Sequence, residues 1–309
     1  MVNSLRKIKE VRLIERIAGR FKVKDRSVIV SIGDDAAVVR GPQRKYLIFT
    51  SDMLIESVHF KKSEDYQKVG YKAMAVSISD IAAMGGIPKY ALISVGLPKK
   101  NVDRIAGQLF TGIESCAKKF GIEVVGGDTN RSDKLVIDVF AVGEVEPDKV
   151  VLRSTAQSGD HIFVSGPLGG SFRGKHLSFT PRVMESRFLV KNFKVTSMID
   201  LSDGLGMDLN RICDASGVGA LIFENKIPKS RGVFKTEAAL FDGEDFELLF
   251  TLSKEDALRF FHMMDKRKAD MRFYQIGRIT DLFRGVKMVT RDGKVKDVSC
   301  DGFKHFQKT

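Results

Sequence analysis

Carboxylates set beside glycine and small residues carry the chemistry available to this chain. Six of them, Asp35, Asp52, Asp80, Asp128, Asp200 and Asp203, are spread over most of its 309 residues. Asp35 follows Gly33-Asp34, Asp52 closes the oxygen-donor triplet Thr50-Ser51-Asp52, and Asp128 follows Gly126-Gly127. Asp200 and Asp203 flank Leu201-Ser202, while Asp80 sits inside an apolar run of small residues over 69–88. Singly, each has a plain reading as a turn acid, a helix cap or, for Asp80, a structural pair with Lys72 two helical turns earlier. A buried carboxylate is costly unless something cationic compensates it. Together the six suit hard divalent cations, which take oxygen ligands and keep several waters. A multi-metal site of that kind neutralises a polyphosphate in phosphoryl transfer, where positioning and electrostatics supply most of the catalysis.

Rival chemistries have weaker support. No Ser-His-Asp or Cys-His arrangement stands out as a competing nucleophile. Gly169-Gly170-Ser171-Phe172-Arg173-Gly174-Lys175 fits the phosphate-binding pattern GxxxxGK behind a strand-like stretch. His176 stands where the metal-binding Ser or Thr belongs, and Pro181 interrupts the helix that should follow. The stretch therefore reads as a glycine-rich loop. Gly126-Gly127-Asp128 is either a turn or a close approach of backbone to phosphate, and the residues alone leave both open.

These residues need elements to position them. Stretches 27–32, 45–49, 90–97, 123–125 and 135–146 read as strands, as do 161–165, 196–201, 219–223 and the apolar run after Glu247. Ala73, Ala75, Ser77, Ser79, Ala82 and Ala83, interleaved with larger apolar residues, predict a buried helix with closely packed neighbours. Gly85-Gly86 supplies its left-handed stop. Further helices are expected over 101–120, from Leu205 onward and over 254–266, with a hairpin turn at Asp292-Gly293. Leu5, Ile8, Val11, Ile14, Ile17 and Phe21 trace one face of an N-terminal helix, capped near Ser4, that should pack on the core. Strands and helices alternate in both halves, so the class is α/β (or α+β) with mixed sheets. Pro147-Asp148 marks the expected boundary, giving domains 1–147 and 148–309.

Lys+Arg 51 against Asp+Glu 39 gives a formal charge of +12, which favours anionic partners. The basic residues are scattered, however, and the densest run, Lys266-Arg267-Lys268, reads as a solvated helix end. Five tyrosines and no tryptophan offer no base-stacking pattern, so no nucleic-acid partner is expected. A non-enzymatic nucleic-acid-binding protein is the reading from another class, and it predicts salt-dependent binding without ATP turnover. Cys116, Cys213 and Cys300 are widely separated, which suits a reducing compartment. No apolar run approaches transmembrane length, and Glu10 and Glu15 interrupt any signal-peptide core. The expectation is a cytoplasmic protein without a membrane partner.

Several stretches together resemble the thiamine-monophosphate kinase family. They are Gly33-Asp34-Asp35-Ala36-Ala37, Thr50-Ser51-Asp52 with His59-Phe60, and Lys72-Ala73 through Ser79-Asp80-Ile81-Ala82-Ala83-Met84-Gly85. Gly126-Gly127-Asp128-Thr129, Ile199-Asp200-Leu201-Ser202-Asp203-Gly204-Leu205 and Gly243-Glu244-Asp245-Phe246-Glu247-Leu248 complete the set, in the family's order. The resemblance implies a two-domain aminoimidazole ribonucleotide synthetase-like fold and a Mg²⁺-dependent kinase. Such an enzyme uses ATP as co-substrate to make thiamine diphosphate by direct transfer. It also implies a homodimer, with nucleotide and metals held mainly by the N-terminal domain near the subunit interface.

Position by position, Asp35, Thr50, Ser51, Asp52, Asp80, Asp128, Asp200 and Asp203 match metal ligands, Asp80, Asp128 and Asp203 being the catalytic candidates. Gly127, Asp128, Arg153 and Ser202 match nucleotide contacts, and His59, Glu244 and Phe303 match the thiamine-phosphate pocket. The chain departs from the family where Gly169 and His176-Leu177 almost adjoin, a segment that is longer and helical in most members. That shortening leaves another ATP-using enzyme of the superfamily, with a different small acceptor, as the alternative. Superfamily members that depend on an N-terminal reactive cysteine or a C-terminal one fit less well. The first cysteine here is Cys116 and the chain ends His305-Phe306-Gln307-Lys308-Thr309.

Overall fold

Helix α1 (Lys9–Ala18) departs from its expected role. Leu5 and Ile8 are buried with Met207 and Cys300, and Val11 packs beside them. No residue of the helix itself is buried, and Ile14, Ile17 and Phe21 are exposed. The apolar stripe thus meets the core only at its N-terminal end. Its N-cap position is Ile8, which makes no side-chain cap, while Ser4 lies outside the described residues. The computed structural model describes residues 5, 8–266 and 271–300, arranged in two compact units. One comprises Ser27–Val150 and the short return segment Gly174–Val183; the other comprises Val151–Arg173 with the chain before Ser27 and after Val183.

The unit beginning at Ser27 contains β1 (Val28–Val30), β2 (Ala37–Arg40), β3 (Tyr46–Ile55), α2 (Tyr66–Ala83), β4 (Ile87–Leu97), α3 (Val102–Phe120), β5 (Glu123–Arg131) and β6 (Val136–Val145). They form one sheet in the order β1-β2-β3-β6-β4-β5. All pairs are antiparallel except β4–β5, whose parallel pairing requires the α3 crossover between them. Asp65 caps α2 by accepting from the Gln67 N–H at 2.8 Å, and Gly85, at φ 80°, turns the chain out after Met84. The small residues of α2 do what their size predicts. A Cβ added at Gly70 would stand 2.0 Å from the Leu109 carbonyl oxygen of α3, so α2 and α3 cross backbone to backbone. Strand alternation buries Ile48, Thr50 and Leu54 of β3, and Ile137, Val139 and Ala141 of β6, on the face that α2 covers. On the opposite face Met53, Tyr90 and Leu92 are exposed, and Phe49 stacks on Phe140.

Two strands run further than the sequence predicted. β3 continues to Ile55, so Thr50-Ser51-Asp52 lies mid-strand, not at a strand end. β5 runs through Gly126-Gly127-Asp128, which is neither a turn nor a loop. Ladder hydrogen bonding to β4 and β6 overrides the local glycine and aspartate preferences in both places.

The other unit contains β7 (His161–Val164), α4 (Val183–Asn192), β8 (Val195–Asp200), α5 (Leu205–Ser216), β9 (Gly219–Phe223), α6 (Thr236–Phe241), β10 (Leu248–Leu252), α7 (Lys254–Lys266), β11 (Tyr274–Thr280), β12 (Gly285–Val289) and β13 (Val295–Val298). The sheet order is β13-β12-β9-β11-β7-β10-β8, antiparallel apart from β12–β9. Leu205, Leu209 and Ile212 of α5 pack on Ile162, Val164, Ile199 and Ala220. A separate aromatic cluster forms around Phe163, which stacks on Phe250 and meets Phe260 of α7 edge-on, with both centroid distances 5.3 Å. The turn at Asp292-Gly293 joins β12 to β13 as expected. Among the described residues no helix is long and apolar enough to cross a membrane.

Candidate active site

The first constellation is built where β3 passes beneath α2. Alternation along β3 turns Thr50 and Asp52 to one face, and both meet α2 there. Thr50 Oγ1 donates to Asp80 Oδ2 at 2.6 Å, and Ser77 Oγ donates to Asp52 Oδ2 at 2.9 Å. Asp80 also lies beside Asp52 and acts on its carboxyl. Asp35, on the turn before β2, offers an oxygen within 4.8 Å of one from Asp80. Burial pushes the Asp52 carboxyl above its ordinary value, and the negative charges of Asp138 and Asp35 add to this against the hydrogen bonds from Ser77 and Asp80. Three carboxyl groups and a hydroxyl, half-buried and mutually repelling, form an all-oxygen donor set suited to a hard divalent cation. The burial of Asp52 among like charges means that a positive charge would be well received there.

Not every expected ligand joins this cluster. The Ser51 side chain points to the opposite face of β3 and donates to Asp138 Oδ1 at 3.0 Å. Asp128 lies on β5, separated from β3 by β6 and β4, about 14 Å at the usual strand spacing. There it accepts from its neighbours, the Thr129 N–H at 2.8 Å and Asn130 Nδ2 at 2.6 Å. Asp128 and Asp138 both lie in register with Ser94 of β4, from either side. Gly127 has a structural reason to be glycine, since a Cβ would stand 1.8 Å from the Ile93 carbonyl oxygen. His59 closes the turn after β3, accepting the Ile55 N–H at its Nδ1 at 2.9 Å.

The second constellation joins two loops far apart in sequence. β8 pairs with β10 so that Asp200 is in register with Leu248. Beyond that pair the loops stay laced together: Phe246 N–H donates to Leu201 O at 2.8 Å and Glu244 N–H to Ser202 O at 2.7 Å. Asp200, Ser202, Asp203 and Glu244 therefore lie at one end of this sheet. Asp203 is ion-paired with Arg211, which also holds Asp208 at 2.6 Å. The Asp203 N–H donates to Asp208 Oδ2 at 3.1 Å. Asp208 is fully buried, and that burial pushes its carboxyl up to about 7 against the pull of Arg211. Arg153 gives its carbonyl to Ser197 and Ser216 Oγ. Phe303 lies outside the described residues.

The glycine-rich loop is committed elsewhere. Gly169 N–H donates to Asp245 at 2.9 Å, Gly170 N–H to Asp242 at 2.9 Å, and Ser171 Oγ to Asp245 at 2.6 Å. Carboxylates occupy the amides that a P-loop would offer to phosphate, and single 3₁₀ turns replace its helix. Asp245 and Glu247 are thus buried anchors, Glu247 accepting from Ser165 Oγ at 2.8 Å. Sequence reasoning missed Ser77, Asp138, Asp208 and Arg211. Asp208 and Arg211 had a visible i,i+3 spacing behind Asp203, whereas Ser77 looked like one more small residue of a buried helix.

Comparison with known proteins gives the family. Residues 33–145 match the N-terminal domain of the AIR synthase related proteins, and residues 138–289 match the C-terminal domain. The thiamine-monophosphate kinase of Bacillus subtilis (strain 168) is 38% identical over 276 residues, covering 80% of this chain and 84% of its own. That of Aquifex aeolicus (strain VF5) is 36% identical over 304 residues, covering 89% and 92%. A solved structure of AaThiL complexed with AMPPCP and TMP superposes with a TM-score of 0.83 at 34% identity, covering 97% of this chain and 98% of that one. With two AIR synthase related domains and such identity over most of its length, the chain belongs to the thiamine-monophosphate kinase family.

Proposed function

We propose that this protein phosphorylates thiamine monophosphate to thiamine diphosphate, transferring the terminal phosphoryl group of ATP directly. The observation that carries the reading is the all-oxygen cluster of Asp35, Asp52 and Asp80 around Thr50, in a chain of this family. Asp35, Thr50, Asp52 and Asp80 are the proposed Mg²⁺ ligands of this cluster, and Ser51, Asp128, Asp200 and Asp203 are proposed as ligands apart from it. Bound Mg²⁺ supplies neutralisation of the charge on the phosphates. Gly127 and Asp128, of the unit beginning at Ser27, hold the nucleotide in this reading together with Arg153 and Ser202. His59 donates to the acceptor's phosphate, while Glu244 and Phe303 attract the cationic thiazolium ring. Asp80, Asp128 and Asp203 act on the transferring group through the charge they hold in place.

The protein works as a cytoplasmic homodimer in this account. The apolar side chains of Met53, Tyr90 and Leu92 on the open sheet face support a second copy as the group that covers them. The test is a kinase assay with ATP and Mg²⁺ against thiamine monophosphate, thiamine and a panel of phosphorylated acceptors. Turnover of thiamine monophosphate to the diphosphate is expected, and its absence with turnover of another acceptor would overturn the substrate.

A further inference from the structure

Lys72 is among the largest fully buried side chains of the described residues, sealed into the apolar helix α2. Burying a lysine is costly, and its hydrogen bonds show where that cost is offset. Lys72 Nζ donates to the His59 carbonyl oxygen at 2.8 Å. The turn it reaches is tightly made. His59 N–H donates to Ile55 O at 3.0 Å, Ser57 N–H donates to Phe60 O at 2.8 Å, and Ser57 adopts a left-handed φ of 69°. The imidazole is tied into the same turn because its Nδ1 accepts the Ile55 N–H. A nitrogen that accepts a hydrogen bond carries no proton, so a neutral His59 bears its proton on Nε2.

We infer that Lys72 is a positioning residue for phosphate recognition: it clamps the 55–60 turn so that His59 is held as a single Nε2–H tautomer, ready to donate to an acceptor phosphate. The inference rests on the proposed role of His59 in binding the acceptor. Lys72 touches no substrate in this account and works through the His59 backbone. Its long apolar stem crosses the core and its ammonium supplies a charge-assisted hydrogen bond to a loop carbonyl. A neutral polar side chain of the same length could not anchor the turn as firmly. The specificity of the effect follows from the geometry, because the clamp acts on the His59 turn and leaves the Thr50–Asp80 contact on another turn of α2.

The test combines spectroscopy with kinetics. Long-range ¹H–¹⁵N correlation spectra of the histidine-labelled parent, assigned with His59→Gln, should show an unprotonated Nδ1 and a protonated Nε2 for His59 at neutral pH. In Lys72→Met the same resonances should report a mixture of tautomers. KM for thiamine monophosphate should rise about tenfold or more, with KM for ATP within about twofold of the parent. A parent His59 protonated at Nδ1 would overturn the inference, as would an unchanged His59 spectrum in Lys72→Met or an equal rise in both KM values. If Lys72→Met does not fold, Lys72→Gln is measured in the same way and judged by the same criteria. If the parent phosphorylates no thiamine monophosphate, the proposed function fails, while the His59 spectra still decide the role of Lys72.

Discussion

Replacing Asp80 by Asn separates stability from function at the carboxylate cluster. The substitution keeps the volume, and an amide oxygen can still accept from Thr50 Oγ1, now at 2.6 Å from Asp80. It removes one negative charge within 4.8 Å of an Asp35 oxygen. Two unit charges at that distance repel by about 3 kcal/mol at the effective dielectric of a protein surface and about 1 kcal/mol in water. The Asn amide can also donate to Asp52, which lies beside it. Because the Asp52 carboxyl is raised above its ordinary value, the contribution of this group to the parent's stability is present at low pH and is lost as pH rises through that raised pKa. In EDTA at about pH 8, Asp80→Asn should therefore melt higher than the parent, by a few degrees for about 1–3 kcal/mol, with the gap closing towards low pH. Its turnover with saturating Mg²⁺ should nevertheless fall about a hundredfold or more, as on losing an electrostatic stabiliser of the transition state. Thermal melts in EDTA and a coupled kinase assay measure both. Near-normal turnover, or a variant that melts below the parent at high pH, would refute the reasoning.

Three further outcomes can be checked. Lys175→Ala should change KM for ATP by less than about threefold, since the loop amides beside it are bonded to Asp242 and Asp245; a collapse of ATP binding in the folded variant would restore the P-loop reading. Gly70→Ala places a Cβ 2.0 Å from Leu109 O and must push α2 from α3. Overpacking should outweigh the roughly 1 kcal/mol of helix propensity gained and lower stability by about 1–3 kcal/mol in denaturant melts. His161, whose Nδ1 lies 2.8 Å from Gln275 Nε2, is held below the ordinary histidine value chiefly by burial. Its stabilising contribution is present above the unfolded pKa and lost as pH falls, so the melting temperature should decline from about pH 7 to about pH 5. His161→Gln should flatten that slope, and an unchanged slope would assign the acid sensitivity elsewhere.

Much of the layout was legible in the chain itself, because it depends on local rules. The small-residue helix around Asp80, its glycine stop and the alternation of strands follow from periodicity and backbone sterics, which a linear sequence states directly. The ordered motifs that resemble the family were equally visible, and with them the α/β class. What the sequence left open depended on pairing. Whether Gly126-Gly127-Asp128 was turn or strand was decided by its ladder to β4, and alternation along β3 then sent Ser51 away from Thr50 and Asp52. Asp203 looked like a free ligand until α5 brought Arg211 to it. Asp245 and Glu247, indistinguishable from Glu244 in a run of acids, became buried anchors because the segment leading into β10 turns them inward. The α1 stripe read as core, yet most of it lies at the surface, since amphipathicity records that a face is apolar and not what covers it. Only tertiary structure could show that Lys72 reaches the His59 carbonyl, because a buried charge takes its partner from wherever the fold brings one within hydrogen-bond distance.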